Sequence, residues 1–140
     1  MLFKLPAAWL MGVKVSMINN SSCICTLKYR WINQNPFKSI FWAAQGMAAE
    51  FATGVLLMRE IELSNKNISM LLVDVEAKFT KKATGKISFK CDKGLMIKER
   101  VDSLNSHKTK NTMWIDSIGV DESGQEVSKF RFNWSILLKK

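Results

Sequence analysis

Glu50 is the lone acid in the apolar stretch 35–58, "NPFKSIFWAAQGMAAEFATGVLLM". A carboxylate in apolar surroundings must be paired, protonated or open to a cleft, because burying it uncompensated is costly. Held in a cleft, it has the chemistry of a general base or a nucleophile. A helix-surface position or a satisfied structural hydrogen bond is the more common use of a single acid. Other reactive residues offer less. His107 is the sole histidine, set in the polar run "NSHKTKN", so it reads as a surface residue with no Ser-His-Asp or Cys-His constellation. Cys23, Cys25 and Cys91 lack zinc spacing with any histidine, and no metal site is expected. They read as reduced, mostly buried thiols of a cytoplasmic protein.

The elements that would position Glu50 follow from periodicity. Residues 13–17 alternate apolar and polar, and 22–31 do so more clearly, with Cys23, Cys25, Leu27, Tyr29 and Trp31 on one face. "NNSS" turns the chain between them. The apolar stretch is too long and too rich in Ala, Met and Leu for a strand, and predicts a helix over about 39–58. Alternation returns at 68–80, with Leu71, Val73, Val75, Ala77 and Phe79 on one face. After "KKATG", the strand "KISFKC" sends Ile87, Phe89 and Cys91 inward. A short amphipathic helix is expected over 94–105. Two last strands, 111–120 and 126–138, flank "DESGQ", with Phe130, Phe132, Trp134, Ile136 and Leu138 on one face. Short connections between strands favour antiparallel pairing, so the fold class is α+β.

Length and composition agree. The 140 residues, 47% hydrophobic and 24% charged, suit a single domain spanning 1–140. A membrane span over 40–58 is disfavoured by the central Glu and by flanking strands whose apolar faces need a cover. The apolar N-terminus has one early lysine and no small-residue cleavage site, so a secretory leader finds little support. The net charge of +9 fits a nucleic acid, an anionic surface or a polyanionic small ligand. Its basic residues form no arm or RNP-like motif, which argues against nucleic acid.

The residues ahead of Glu50 carry a resemblance. The segment is similar to the signature of hotdog-fold acyl-CoA thioesterases of the phenylacetyl-CoA type, N-x-x-G-x-x-H-G-G, six residues, then an acid. Asn35 takes the Asn position and Glu50 the acid position, while Lys38, Phe41 and Trp42-Ala43 replace the Gly, the His and the Gly pair. "FTKKATG" and "DESGQEV" resemble later stretches of the same family. The resemblance implies a hotdog fold, an antiparallel sheet wrapped around one long central helix, in a homodimer or tetramer joined through strand 68–80.

It also implies hydrolysis of an acyl-CoA or acyl-carrier thioester, with coenzyme A part of the substrate and no separate cofactor. Glu50 would attack or activate water, and Asn35 would orient that water or hold its loop. Backbone N–H groups at Trp42 and Ala43 would polarise the thioester carbonyl. Phe41, Trp42, Ala43 and Gln45 would line the substrate site, and Lys81 and Lys82 of "TKK", with Lys86, would hold coenzyme A phosphates, although a solvated turn is the more common use of such residues. The replaced His-Gly-Gly positions leave a second reading, a non-catalytic hotdog module that binds an acyl or CoA-like ligand. A third, a basic nucleic-acid or membrane-surface binder, rests on charge alone.

Overall fold

The computed structural model describes residues 4–140. A short helix α1 (Pro6–Met11) precedes strands β1 (Lys14–Ile18) and β2 (Cys23–Lys28), a single 3-10 turn (Trp31–Asn33) and the long helix α2 (Trp42–Leu63). Then follow β3 (Ile68–Phe79), β4 (Lys86–Cys91), α3 (Gly94–Asp102), β5 (Lys110–Val120) and β6 (Glu126–Leu138). The strands form one six-stranded sheet in the order β1-β2-β4-β5-β6-β3, every neighbouring pair antiparallel. It wraps one side of α2, whose sequence suits the task. Ala44, Ala48, Ala49 and Ala52 are strong helix formers small enough to let the sheet approach.

The core lies between α2 and the concave face of the sheet. Leu56 and Leu57 of α2 meet Leu27, Ile87, Phe89, Ile115, Phe130 and Ile136, all fully buried. Each such side chain contributes about 1.5–3 kcal/mol. Phe130 anchors an aromatic run, stacked on Phe132 and edge-on to Phe89 and Phe79. Cys23, Cys25 and Cys91 are buried, unbonded thiols in this layer. Burial lifts Cys91 to about 12, so it stays protonated.

Three expectations change. The second strand ends at Lys28 rather than running to residue 31, and Trp31 is 81% exposed. Buried Asn33 causes this break: its Oδ1 accepts the Arg30 N–H, and its Nδ2 donates to the carbonyls of Lys28 and Met11. The face assigned to strand 68–80 is also split. A bulge between Leu72 and Asp74 shifts the register, so Ile68, Met70 and Leu72 pack on the core while Leu71 and Val73 point away from it. Beyond the bulge Val75 and Ala77 stand opposite Phe132 and Phe130, yet they remain exposed.

Finally, α2 runs past 58 to Leu63. The buried Glu60 in this extension is ion-paired with Arg59 at 2.7 Å, and Arg59 also donates to Asn20. Lys66 then fastens the end of the helix to α3, its ammonium donating to the carbonyls of Val101, Asp102 and Leu104.

Candidate active site

Glu50 opens onto a cavity of about 300 Å³ between α2, the chain around α1 and strands β3 and β6. Helical spacing makes much of its wall: Met47 lies one turn before Glu50, Gly54 one turn after it and Met58 two turns after it, with Phe51 adjacent. Among the described residues the lining is otherwise apolar apart from Lys4, with Met70 and Trp134 from the sheet and Leu5, Pro6, Ala7 and Ala8 from the chain around α1. Among the described residues no side chain pairs with the Glu50 carboxylate; only its backbone carbonyl is engaged, by Thr53. Burial raises its proton affinity above that of an ordinary glutamate. A half-buried, unpaired and more basic carboxylate beside an apolar cavity is suited to general-base work.

The other residues singled out by sequence gather at the start of the helix. Asn35, Phe41, Trp42, Gln45, Lys81 and Lys82 line a second concavity of about 580 Å³ with Phe37, Ser39 and Phe79. Here α2 begins at Trp42 with no side-chain cap, so its first-turn N–H groups, including that of Ala43, lack intrahelical acceptors. Together with the helix dipole they form an electropositive spot suited to a developing oxyanion.

Several of these side chains are already engaged. Asn35 Oδ1 accepts the N–H groups of Phe37 and Ser39, closing the hairpin ahead of the helix. Lys38, standing where the resembling family has Gly, adopts the left-handed backbone that Gly would supply, with φ of 57°. Gln45 is buried, accepting from Ser128 Oγ at 2.9 Å and donating to the Ile40 carbonyl, so it fixes α2 on β6. Lys81 is tied to Asp121 and Gln125, whereas Lys82 is exposed and has no ion-pair partner among the described residues.

Within one chain, Glu50 and the helix start do not meet. Eight residues of helix put them about 12 Å apart along the axis, and they line different cavities. Sequence reasoning placed both groups in one site and missed the walls supplied by Leu5–Ala8, Met70 and Trp134. Part of that signal was readable: Pro6 at the first position of α1 marks a helix start, and Met47, Gly54 and Met58 fall on the Glu50 side of α2.

The family model for "Domain of unknown function (DUF4442)" matches residues 1–136. The chain belongs to the DUF4442 family. A comparison with curated proteins finds no match. Solved structures share the architecture. A protein of unknown function from Chlorobaculum tepidum aligns with a TM-score of 0.83 at 16% identity, over 98% of this chain and 89% of its own. A Pseudomonas aeruginosa protein described as a probable thioesterase gives 0.80 at 15% identity, over 99% and 92%. A Haemophilus influenzae thioesterase gives 0.71 at 13%, over 94% and 82%. At such identities the likeness establishes the fold. This DUF4442 chain is a hotdog-fold protein, with an antiparallel sheet around one long helix.

Proposed function

We propose that this DUF4442 protein is a thioester hydrolase acting on acyl-CoA or an acyl-carrier thioester, with Glu50 as its base or nucleophile. The observation that carries the reading is the unpaired Glu50 carboxylate in the wall of an otherwise apolar cavity of about 300 Å³. The cavity suits an acyl chain, which offers no polar partner, and leaves the carboxylate free for water or the thioester carbon. Fold neighbours described as thioesterases support the choice of reaction. In this reading Asn35 holds the hairpin that presents the helix start, and the Trp42 and Ala43 N–H groups receive the oxyanion. Phe41 and Trp42 wall the entrance, and Lys82, with no ion-pair partner among the described residues, is a cation for coenzyme A phosphates. No separate cofactor enters the chemistry.

The same reading calls for a second copy of the chain. Glu50 and the helix start are separated within one protomer, so a partner must bring its helix start to the Glu50 cavity. The strand β3 favours this: it is an edge of the sheet, twelve residues long, and exposes Leu71, Val75 and Phe79. A long apolar edge left open invites pairing with another chain. Pairing of β3 with its copy would bury that edge and complete a homodimeric site. The free thiols accord with a reducing, cytoplasmic setting.

Turnover of a panel of short, long and aromatic acyl-CoAs, followed by thiol release, tests the reaction, and light scattering tests the dimer. The reading requires saturable thiol release from a dimer. Saturable binding without turnover would establish the binding module instead. A stable monomer at micromolar concentration that turns over thioesters would remove the composite site.

A further inference from the structure

The convex face of the sheet, away from Glu50, carries a group of cations of which the sequence offers only Lys86 to coenzyme A phosphates. Lys14, Thr26, Lys28, Arg30 and Lys86 line a concavity of about 390 Å³ together with Gly12. The strand register places them. Lys28 stands directly opposite Lys86 on β2 and β4, and Lys14 on β1 pairs with Thr26, which points to the same face as Lys28. Like charges directly opposite each other across strands are destabilising, so this arrangement costs stability in the absence of an anion. Among the described residues none of these four cations has an ion-pair partner. Glu122 lies beside Lys86 and accepts its backbone N–H at 3.0 Å, but it forms no ion pair with the Lys86 ammonium.

The concavity also has a fixed frame. Asn33 is 1% exposed, and its carboxamide ties together the backbones of Met11, Lys28 and Arg30. Arg30 is held by a hydrogen bond from its guanidinium to the Leu10 carbonyl at 3.1 Å. That guanidinium lies directly over Gly12. Gly12 has φ of 88°, a left-handed conformation that favours glycine at this turn. A planar guanidinium with mobile ammonium groups and a hydroxyl around one hollow matches the oxygens of clustered phosphates.

We propose that this concavity is a binding site for an oligophosphate group, recognised by Lys14, Lys28, Lys86 and Arg30 with the Thr26 hydroxyl. The site is independent of the Glu50 chemistry. It takes a compact anion of several charges, since its cations converge from three adjacent strands and the segment after β2.

Calorimetric titration of tripolyphosphate into the full chain tests it, with vesicles of phosphatidylcholine with and without phosphatidic acid as a second arm. The expected result is saturable binding that weakens about tenfold for each cation removed in Lys28→Gln and Lys86→Gln. A charge-matched control, Lys108→Gln with Lys140→Gln, should leave the affinity unchanged. Without ligand, the Lys28→Gln/Lys86→Gln protein should melt at or above the wild-type temperature, because a repulsion has been removed. Binding of vesicles alone, lost in that same double variant, would keep the site and assign the phosphate to a lipid headgroup. Failure to bind in both arms, or an equal loss in the charge-matched control, would overturn the proposal.

Discussion

Replacing Gly54 by alanine tests both the packing of α2 and the shape of the Glu50 cavity. Gly54 is an interior residue of the helix, where glycine is less stable than alanine by about 0.5–1 kcal/mol. The cost of the added methyl can be read from its surroundings. An ideal Cβ would lie 3.5 Å and 3.8 Å from the Trp134 ring, ordinary van der Waals contact, so nothing must move. Trp134 is itself held by a hydrogen bond from its indole N–H to Thr53 at 3.0 Å, and it will not swing away. The variant should therefore gain about 1 kcal/mol, which for a domain of this size raises Tm by about 3–4 °C.

The methyl also occupies cavity space between α2 and Trp134. The longest acyl chain that fills the cavity should then lose about tenfold in kcat/KM relative to one a carbon shorter, the usual worth of a methylene in an apolar pocket. Thermal unfolding and a saturated acyl-CoA series read the two effects. A fall in Tm would refute the packing argument. A raised Tm with an unaltered chain-length profile would place the acyl chain elsewhere.

Three further outcomes follow from the geometry. Lys66→Met leaves the Val101, Asp102 and Leu104 carbonyls without their common donor and should cost about 2–3 kcal/mol in urea unfolding. Cys25 and Cys91 are buried and pushed up in pKa, so a thiol reagent should label them only as the protein unfolds, at a rate that tracks unfolding. Glu50 is also raised, so the stability tied to its neutral form is present below the ordinary glutamate range and lost as pH rises through it towards the folded value. Glu50→Gln should accordingly be more stable than wild type at neutral pH. The difference should close below about pH 4, which paired urea titrations check.

The strands and the long helix were legible because their periods are distinct. The alternation of Phe130, Phe132, Trp134 and Ile136 is unambiguous, and each of these side chains is buried. Failures came where one side chain or one extra residue overrides a pattern. Asn33 ends β2 through hydrogen bonds to Met11 and Lys28, and the first of these partners is remote in sequence. The β3 bulge depends on its pairing with β6, which period-two counting along a single strand does not contain. Glu50 was legible as an anomaly in an apolar run. Its separation from the helix start was not, because motif spacing records order along the chain, whereas meeting in space depends on the axial rise of α2. The cationic concavity was invisible for the same reason: Lys14, Lys28 and Lys86 become neighbours only through the strand register.

The account stands most directly on the turnover of acyl-CoA by Glu50→Gln beside wild type, measured at saturating substrate on protein shown by thermal unfolding to be folded. Glutamine keeps the shape of the side chain and removes its basicity. The account predicts a loss of about 10²-fold or more in kcat with KM changed little, as for removal of a general base. Turnover in Glu50→Gln equal to that of wild type would contradict it.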